Sequence, residues 1–161
     1  MGTPPLKPKD LIPEDDTTWN GWYNSNKSAQ DILGEIKNQD TNRTFTQRVL
    51  PQQIIWYGHR IGAILANNKL KYAQLRRFVD ALKDIAALDD WNKKLIELTL
   101  FQVQLVHGYS RKAELEPFFT VIKGIIEKDW IKSSEDFERF MALIDSITAH
   151  FEIFEDKSKN E

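Results

Sequence analysis

The stretch FERFMALIDSITAHFEIF, residues 137–154, contains a series of apolar residues that are three or four positions apart. That series is Phe137, Phe140, Ile144, Ile147, Phe151 and Phe154. Alternating steps of three and four place such residues on one side of an α-helix. Two serines followed by two acidic residues, at positions 133–136, precede the stretch and suit a helix start. The stretch therefore predicts a long helix with one face in a core.

The same spacing recurs in four earlier segments, residues 51–68, 70–85, 88–112 and 116–128. Pro51 and Pro117 suit first helical positions, and Asp89 or Asp90 suits an N-cap. No period-two alternation bounded by hairpin turns occurs in the sequence. The predicted fold class is therefore all-α, a five-helix bundle with a partly ordered N-terminal arm.

Two glycines fall on the apolar face of the segment 51–68, at positions 58 and 62. A side chain of one hydrogen atom lets two helix backbones approach closely. Gly58 and Gly62 therefore predict close packing of this helix against a neighbour.

The first fifty residues differ in composition from the rest. Four of the six prolines lie in residues 1–13, an acidic run follows at 14–16, and then come Trp19, Trp22 and Tyr23. We predict an N-terminal arm over 1–50 with a possible short helix over 29–38, a helical bundle domain over 51–155, and a charged tail over 156–161. The aromatic residues suggest that part of the arm docks onto the bundle or onto a partner.

Composition excludes several classes of protein. The 161 residues fit one domain, and 41% of them are hydrophobic. The chain has no cysteine, which excludes disulfides and thiolate metal sites. No apolar run approaches the ~20 residues of a membrane span, and no secretory signal is present, so a cytoplasmic location and no membrane partner are expected.

Catalytic patterns are absent from the sequence. The three histidines, His59, His107 and His150, are widely separated and form no metal-binding pair. Neither a glycine-rich phosphate loop nor a GxSxG motif occurs. We therefore predict no catalytic residue, no metal ligand and no cofactor, and the protein is not expected to be an enzyme.

One segment is strongly basic although the net charge is only −2. Between positions 60 and 83 the single acid Asp80 stands against six basic residues, which are Arg60, Lys69, Lys71, Arg76, Arg77 and Lys83. On a helical wheel Lys69, Arg76 and Lys83 form a line of about 21 Å along one flank. Arg77 points instead to the middle of the polar face, near Asp80. If neighbouring helices are antiparallel, Arg111 lies near the start of this helix and extends the basic surface.

Two interpretations of this basic flank stay open on the residues alone. Long cationic side chains border the apolar stripe of many bundles. They can also meet successive phosphates of an extended single strand without reading bases. A DNA-reading helix-turn-helix is a third alternative, but no short helix pair with a glycine turn precedes the basic helix.

Three stretches together resemble a known family, the small helical Csm subunit of type III-A CRISPR effector complexes. They are NNKLKYAQLRRFVDALKDI (67–85), LIELTLFQVQLVHGYSR (95–111) and the opening stretch, and the likeness covers about residues 52 to 155. Members commonly carry Lys and Pro just before the Tyr-x-Arg segment, where this chain has Phe-Gln-Val-Gln at 101–104. His150 and Phe151 stand where a Tyr-His pair is usual, and the N-terminal arm is longer.

The resemblance implies a non-catalytic RNA-binding subunit in antiviral defence. Such subunits are five-helix bundles that self-associate in a filament, beside backbone and large subunits, and contact target RNA and possibly guide RNA through phosphates. Lys69, Arg76, Arg77 and Arg111 match the family's basic segments, and the charge map adds Arg60, Lys71 and Lys83. The main alternative is a helical protein–protein adaptor with no RNA role.

Overall fold

The computed structural model describes residues 28–38 and 42–159, and within them it contains seven α-helices and no strand. The helices are α1 (Ala29–Lys37), α2 (Phe45–Arg48), α3 (Pro51–Asn67), α4 (Tyr72–Ala86), α5 (Trp91–Arg111), α6 (Glu116–Glu127) and α7 (Ser134–Lys159), with a short 3-10 helix, Ala113–Leu115, before α6. The all-α prediction is confirmed. Helices α3 to α7 are the five predicted ones, and α1 and α2 add to that count. Most of the predicted arm, residues 1–27, lies outside the described residues.

The helix ends lie at residues whose side chains favour a helix start or a helix stop. Pro51 opens α3, and Asn68 caps its end. The side chain of Asp90 accepts a hydrogen bond of 2.9 Å from the backbone N–H of Asn92 at the start of α5. Ser133 Oγ accepts from the N–H of Asp136 in the first turn of α7, at 3.2 Å. The predicted helix start at Pro51 and the predicted caps at Asp90 and at the serines before α7 are confirmed, and the Asp90 and Ser133 side chains satisfy N–H groups that have no partner within the helix.

Helices α3 and α7 form the closest pair in the bundle. A Cβ atom added at Gly62 would lie 2.8 Å from the backbone N of Phe151 and 3.0 Å from the carbonyl O of Ile147. One added at Gly58 would collide with the hydroxyl of Ser146. That hydroxyl donates a 2.9 Å hydrogen bond to the carbonyl of Ile54, so it also joins the two helices. The predicted close packing at both glycines is confirmed.

Helices α1 and α2 pack into the same core as the longer helices. Ile32 and Ile36 of α1 and Phe45 of α2 are fully buried. The buried Arg48 donates hydrogen bonds to the carbonyl of Ile36, at 3.1 Å, and its guanidinium lies 4.4 Å above the ring of Trp130. A buried cation must have such partners, because desolvation without them is costly. Arg48 thus holds α1 and α2 to the segment between α6 and α7.

The carboxylate of Asp136 ties α2 to the start of α7. It accepts backbone hydrogen bonds from Thr46, at 2.9 Å, and from Lys132, at 3.0 Å. Burial alone would raise the pKa of Asp136, but these hydrogen bonds outweigh it and hold the pKa below its usual value.

Helices α4 and α5 pack antiparallel to each other. The inward face of α4 consists of Leu75, Phe78, Val79, Leu82 and Ile85, all of which are buried. The ring of Phe78 lies edge-on to that of Phe101 on α5, with centroids 6.3 Å apart. A Cβ at Gly108 would collide with the Phe78 ring. Gly108 therefore sets how closely the end of α5 approaches α4.

Two histidines are buried between α3 and α7. The rings of His59 and His150 lie 5.3 Å apart, and the ring of Phe154 lies 5.1 Å from that of His59. Burial, together with the nearby charges of His150 and Arg60, lowers the pKa of His59 from 6.5 to about 4. Burial also lowers the pKa of His150, although Nδ1 lies 2.7 Å from the carbonyl O of Ser146. Both rings are therefore held neutral in the folded chain.

None of the helices in the described part of the chain combines the length and apolar content that a bilayer span requires.

The glycine contact generates a stability prediction. The substitution Gly62→Ala should lower the free energy of unfolding by about 1–3 kcal/mol, because the added methyl meets backbone atoms of α7 that cannot move aside. Gly34→Ala in α1 is the matched control, since a Cβ there meets nothing within 4 Å. It should raise stability by about 0.5–1 kcal/mol through helix propensity. Urea unfolding followed by circular dichroism measures both, and a Gly62→Ala protein as stable as wild type would contradict the close packing.

The buried histidines generate a pH prediction. A folded pKa of about 4 for His59, against 6.5 for the ordinary group, means that the unfolded chain binds more protons between these values. Stability should therefore fall as pH drops from about 6.5 towards 4, and His59 should account for about 2 kcal/mol of the loss between pH 7 and pH 5.

This pH effect is checked by urea unfolding at the two pH values. The His59→Gln variant should show a loss smaller than that of wild type by that amount, and His107→Gln, at an exposed position on α5, is the control. Equal losses of stability between pH 7 and pH 5 in wild type and His59→Gln would contradict the prediction.

Candidate nucleic-acid interface

A basic cleft lies where the first half of α4 faces the last turns of α5. It consists of two adjoining depressions of about 340 and 330 Å³. The residues that line it are Leu70, Ala73, Gln74, Arg77, Phe78, Gln104, His107, Gly108, Arg111, Lys112 and Leu115. Phe78 and Gly108 line both depressions, and the Phe78 ring lies against Gly108. The expectation that antiparallel packing brings Arg111 near the start of α4 is thus confirmed.

The charge of this cleft is positive. Arg77 from α4 and Arg111 from α5 line it from opposite sides, and Lys112 and His107 stand beside Arg111. All four side chains are exposed, and none of the described residues that line the cleft is acidic. In the described part of the chain, neither arginine forms an ion pair. The two guanidinium groups are therefore available to an anionic ligand.

Two further predicted residues stand at one end of the cleft. Lys71 is the N-cap of α4, and Lys69 lies in the turn before it with a φ of 66°. Both are exposed, and Leu70 between them lines the cleft. The predicted helical line through Lys69, Arg76 and Lys83 is wrong, because α4 begins only at Tyr72. Lys69 lies instead in left-handed backbone, outside the periodicity on which the line depended.

Arg76 and Lys83 lie on another flank of α4 and do not line the cleft. Arg76 Nε lies 3.5 Å from Asp80 Oδ2, and both side chains are more than half exposed. The expectation that Arg77 is the arginine near Asp80 is therefore corrected, since Arg76 makes this contact. An ion pair so exposed contributes little to stability.

Arg60 also lies apart from the basic cleft. It is half-buried on α3 and lines a separate depression of about 460 Å³ together with Ser28, Asn67 and Glu116. Burial lowers the pKa of its guanidinium. The structure thus brings together Arg77 and Arg111, with Lys69 and Lys71 nearby, and places Arg60, Arg76 and Lys83 elsewhere.

Sequence reasoning did not include Gln104, His107 and Lys112 among the site residues. A signal for them existed, because positions 104, 107, 108 and 111 fall on one face of α5. This face of α5 belongs to the cleft because α4 packs beside it and brings Arg77 close. The sequence of α5 alone does not show which helix packs there.

An apolar groove continues the basic cleft along the same two helices. Gln104 lines both, and the groove has a volume of about 580 Å³. Its apolar lining residues are Ala81, Ile85, Leu88, Ile96, Leu100 and Phe101, and its charged ones are Asp84, Lys93 and Glu97. Ile96 and Leu100, together with Val103, are more than half exposed. The α4–α5 surface thus has a basic half and an apolar half.

Across residues 28–38 and 42–159, no three His, Asp or Glu side chains stand close enough together to hold a metal ion.

Comparison with known proteins gives a family match. The family model described as Csm2 Type III-A matches residues 49–157, about two thirds of the chain. No curated protein and no solved structure matches the chain. The matched range contains helices α3 to α6 and all but the last two residues of α7, and it includes every residue that lines the basic cleft and the apolar groove.

Proposed function

The chain belongs to the Csm2 family, the small subunits of type III-A CRISPR complexes, and on that premise we propose that it is a non-catalytic subunit that contacts RNA through phosphates. The basic cleft between α4 and α5 is the contact surface. The observation that carries this proposal is the pairing of Arg77 with Arg111 across a cleft that no acidic residue lines.

The chemistry of the cleft suits a phosphodiester strand. A guanidinium donates two parallel hydrogen bonds to one phosphate, and it stays charged at every physiological pH. Arginines on two facing helices can therefore grip neighbouring phosphates of one extended strand. Lys69 and Lys71 at the end of the cleft would extend this contact along the strand. Such contacts position a strand but do not read its bases.

Sequence specificity then has to come from pairing with a guide RNA elsewhere in the complex. In this proposal the subunit holds target RNA next to the backbone and large subunits, and guide RNA is the other candidate strand. Several copies in a filament would bind one RNA strand more tightly than a single copy does, because each further contact is intramolecular once the first is made.

A protein–protein adaptor role is favoured by a different observation. Ile96, Leu100 and Val103 form an exposed apolar stripe on α5, opposite its buried face. Apolar stripes of this kind mark protein contacts rather than phosphate contacts. The two roles occupy different halves of the α4–α5 surface, so they can be tested separately.

The RNA role is tested by two matched double variants. Arg77→Ala with Arg111→Ala should weaken binding of a fluorescent single-stranded RNA by roughly tenfold or more, because two charge-assisted contacts are lost. The slope of log K against log salt should also fall by about 1.4, since each single-strand phosphate contact contributes about 0.7. Anisotropy titrations at several salt concentrations measure both quantities, on the isolated protein and on the assembled complex.

Arg76→Ala with Lys83→Ala is the control, because it removes the same charge from the other flank of α4. It should retain RNA affinity to within about twofold. If the control loses binding and the cleft variant does not, the flank is the phosphate contact and the cleft proposal fails. Retention of binding by both variants would remove the case for an RNA contact on α4.

A further inference from the structure

The apolar groove and the basic cleft are close enough for one ligand to contact both. Gln104 lines both of them. The ring of Phe78, which lines the cleft, packs edge-on against that of Phe101, which lines the groove, with centroids 6.3 Å apart. On α4, Arg77 of the cleft and Ala81 of the groove are one helical turn apart on the same side, which is about 6 Å along the axis. A ligand of nucleotide size can therefore reach from the arginine into the groove.

The two parts of this surface differ in charge. Arg77 and Arg111 line the cleft, whereas the groove has mostly apolar walls with two acids, Asp84 and Glu97, and one base, Lys93. Carboxylates repel a phosphate, but they accept hydrogen bonds from uncharged N–H groups. The whole surface therefore suits a ligand with an anionic end and an uncharged end that carries N–H groups.

A nucleotide is a ligand of this kind. Its phosphate carries the charge, while its base is an uncharged ring with two flat faces and an edge of hydrogen-bond donors and acceptors. Proteins that bind a base outside a duplex stack it against aromatic or apolar side chains. Ile96 and Leu100 are 58% and 56% exposed, so they offer such apolar surface within the groove.

Gln104 contributes an unused amide where the groove meets the cleft. The residue is half-buried, and among the described residues its side chain takes part in no hydrogen bond. An amide donates and accepts, so it can pair with the edge of a base or with the ribose 2′-hydroxyl. A half-buried amide gains from such a partner, because burial has already removed part of its contact with water.

From these observations we propose that the apolar groove receives an unpaired nucleobase of the strand whose phosphates Arg77 and Arg111 bind. The base lies against Ile96 and Leu100, with Gln104 at its edge. This inference rests on the proposed RNA role and specifies its ligand. A base that is paired in a regular duplex is stacked and cannot enter the groove, so the α4–α5 surface selects a strand with an unpaired base.

Matched oligomers with and without bases test this proposal on the full-length chain. A cytidine oligomer of about ten nucleotides is compared with an abasic oligomer of equal length, which keeps every ribose and phosphate. Anisotropy titrations should show that the abasic oligomer binds about tenfold more weakly, the loss expected for one stacked base. The Leu100→Ala variant should bind the cytidine oligomer about fivefold more weakly than wild type does, and the abasic oligomer equally well.

Val103→Ala is the matched control for the groove variant. Val103 is 57% exposed on the same helix, but it does not line the groove. This variant should bind both oligomers with the affinities of wild type. If Val103→Ala and Leu100→Ala weaken binding of the cytidine oligomer equally, the groove is not the base site and the proposal fails.

The outcomes separate this proposal from the RNA role on which it rests. Equal affinity of the wild-type chain for the two oligomers would overturn the base site. The RNA role survives that result if Arg77→Ala with Arg111→Ala weakens binding of both oligomers. If Leu100→Ala leaves RNA binding unchanged but releases the chain from the assembled complex, the groove is a protein contact and the proposal is overturned.

Photo-cross-linking locates the base directly. A 4-thiouridine placed in the cytidine oligomer reacts under long-wavelength light with side chains that touch its ring. Mass spectrometry of the digested adduct should find the base on residues 93–104 of α5, and Leu100→Ala should lower the yield severalfold. Adducts confined to the flank of α4 that carries Arg76 and Lys83 would overturn the proposal.

Discussion

The contact between α3 and α7 at Gly58 and Gly62 is the constraint on which the bundle depends. The two backbones approach so closely that a single methyl group at Gly62 would reach the amide of Phe151. Close approach brings the buried faces of both helices into contact along their length, and it encloses the two histidine rings away from water. Helices α2 and α4 pack against α7, and α6 packs against α3, while α5 packs against α4 and α6 and so is placed through them.

The packing of α4 against α5, like that of α3 against α7, depends on a glycine. Gly108 admits the ring of Phe78 between α4 and α5, and that contact sets the separation of the helices at their paired ends. Arg77 precedes Phe78 in sequence, and Arg111 lies about one turn beyond Gly108. The glycine–phenylalanine contact in the core therefore decides that two arginines, far apart in sequence, line one cleft. Core packing and surface charge are linked through adjacent residues.

Periodicity predicted most of the fold, because burial requires apolar residues at steps of three and four. Periodicity also placed Gly58 and Gly62 on an apolar face, where a glycine indicates that a second helix packs closely. The same reasoning failed at Lys69, because a helical wheel assumes that the helix continues, and here left-handed backbone interrupts it. A wheel also cannot say which polar flank faces a neighbouring helix. That choice between Arg76 and Arg77 depends on where α5 packs, which is a property of the tertiary structure.

Helix α5 is apolar on two opposite sides, and hydropathy without periodicity does not tell them apart. Leu98 and Leu105 are buried, whereas Ile96 and Leu100, on the opposite side, are exposed. Both sets are equally apolar, so hydropathy assigns all of them to a core. Only the packing shows that one set lacks a cover among the described residues. An exposed apolar face has a cost in solubility, which is offset when a segment or partner covers it. The basic and apolar halves of the α4–α5 surface therefore favour different chemical groups, because a phosphate gains from cations and loses from acids, while an uncharged ring gains from apolar walls.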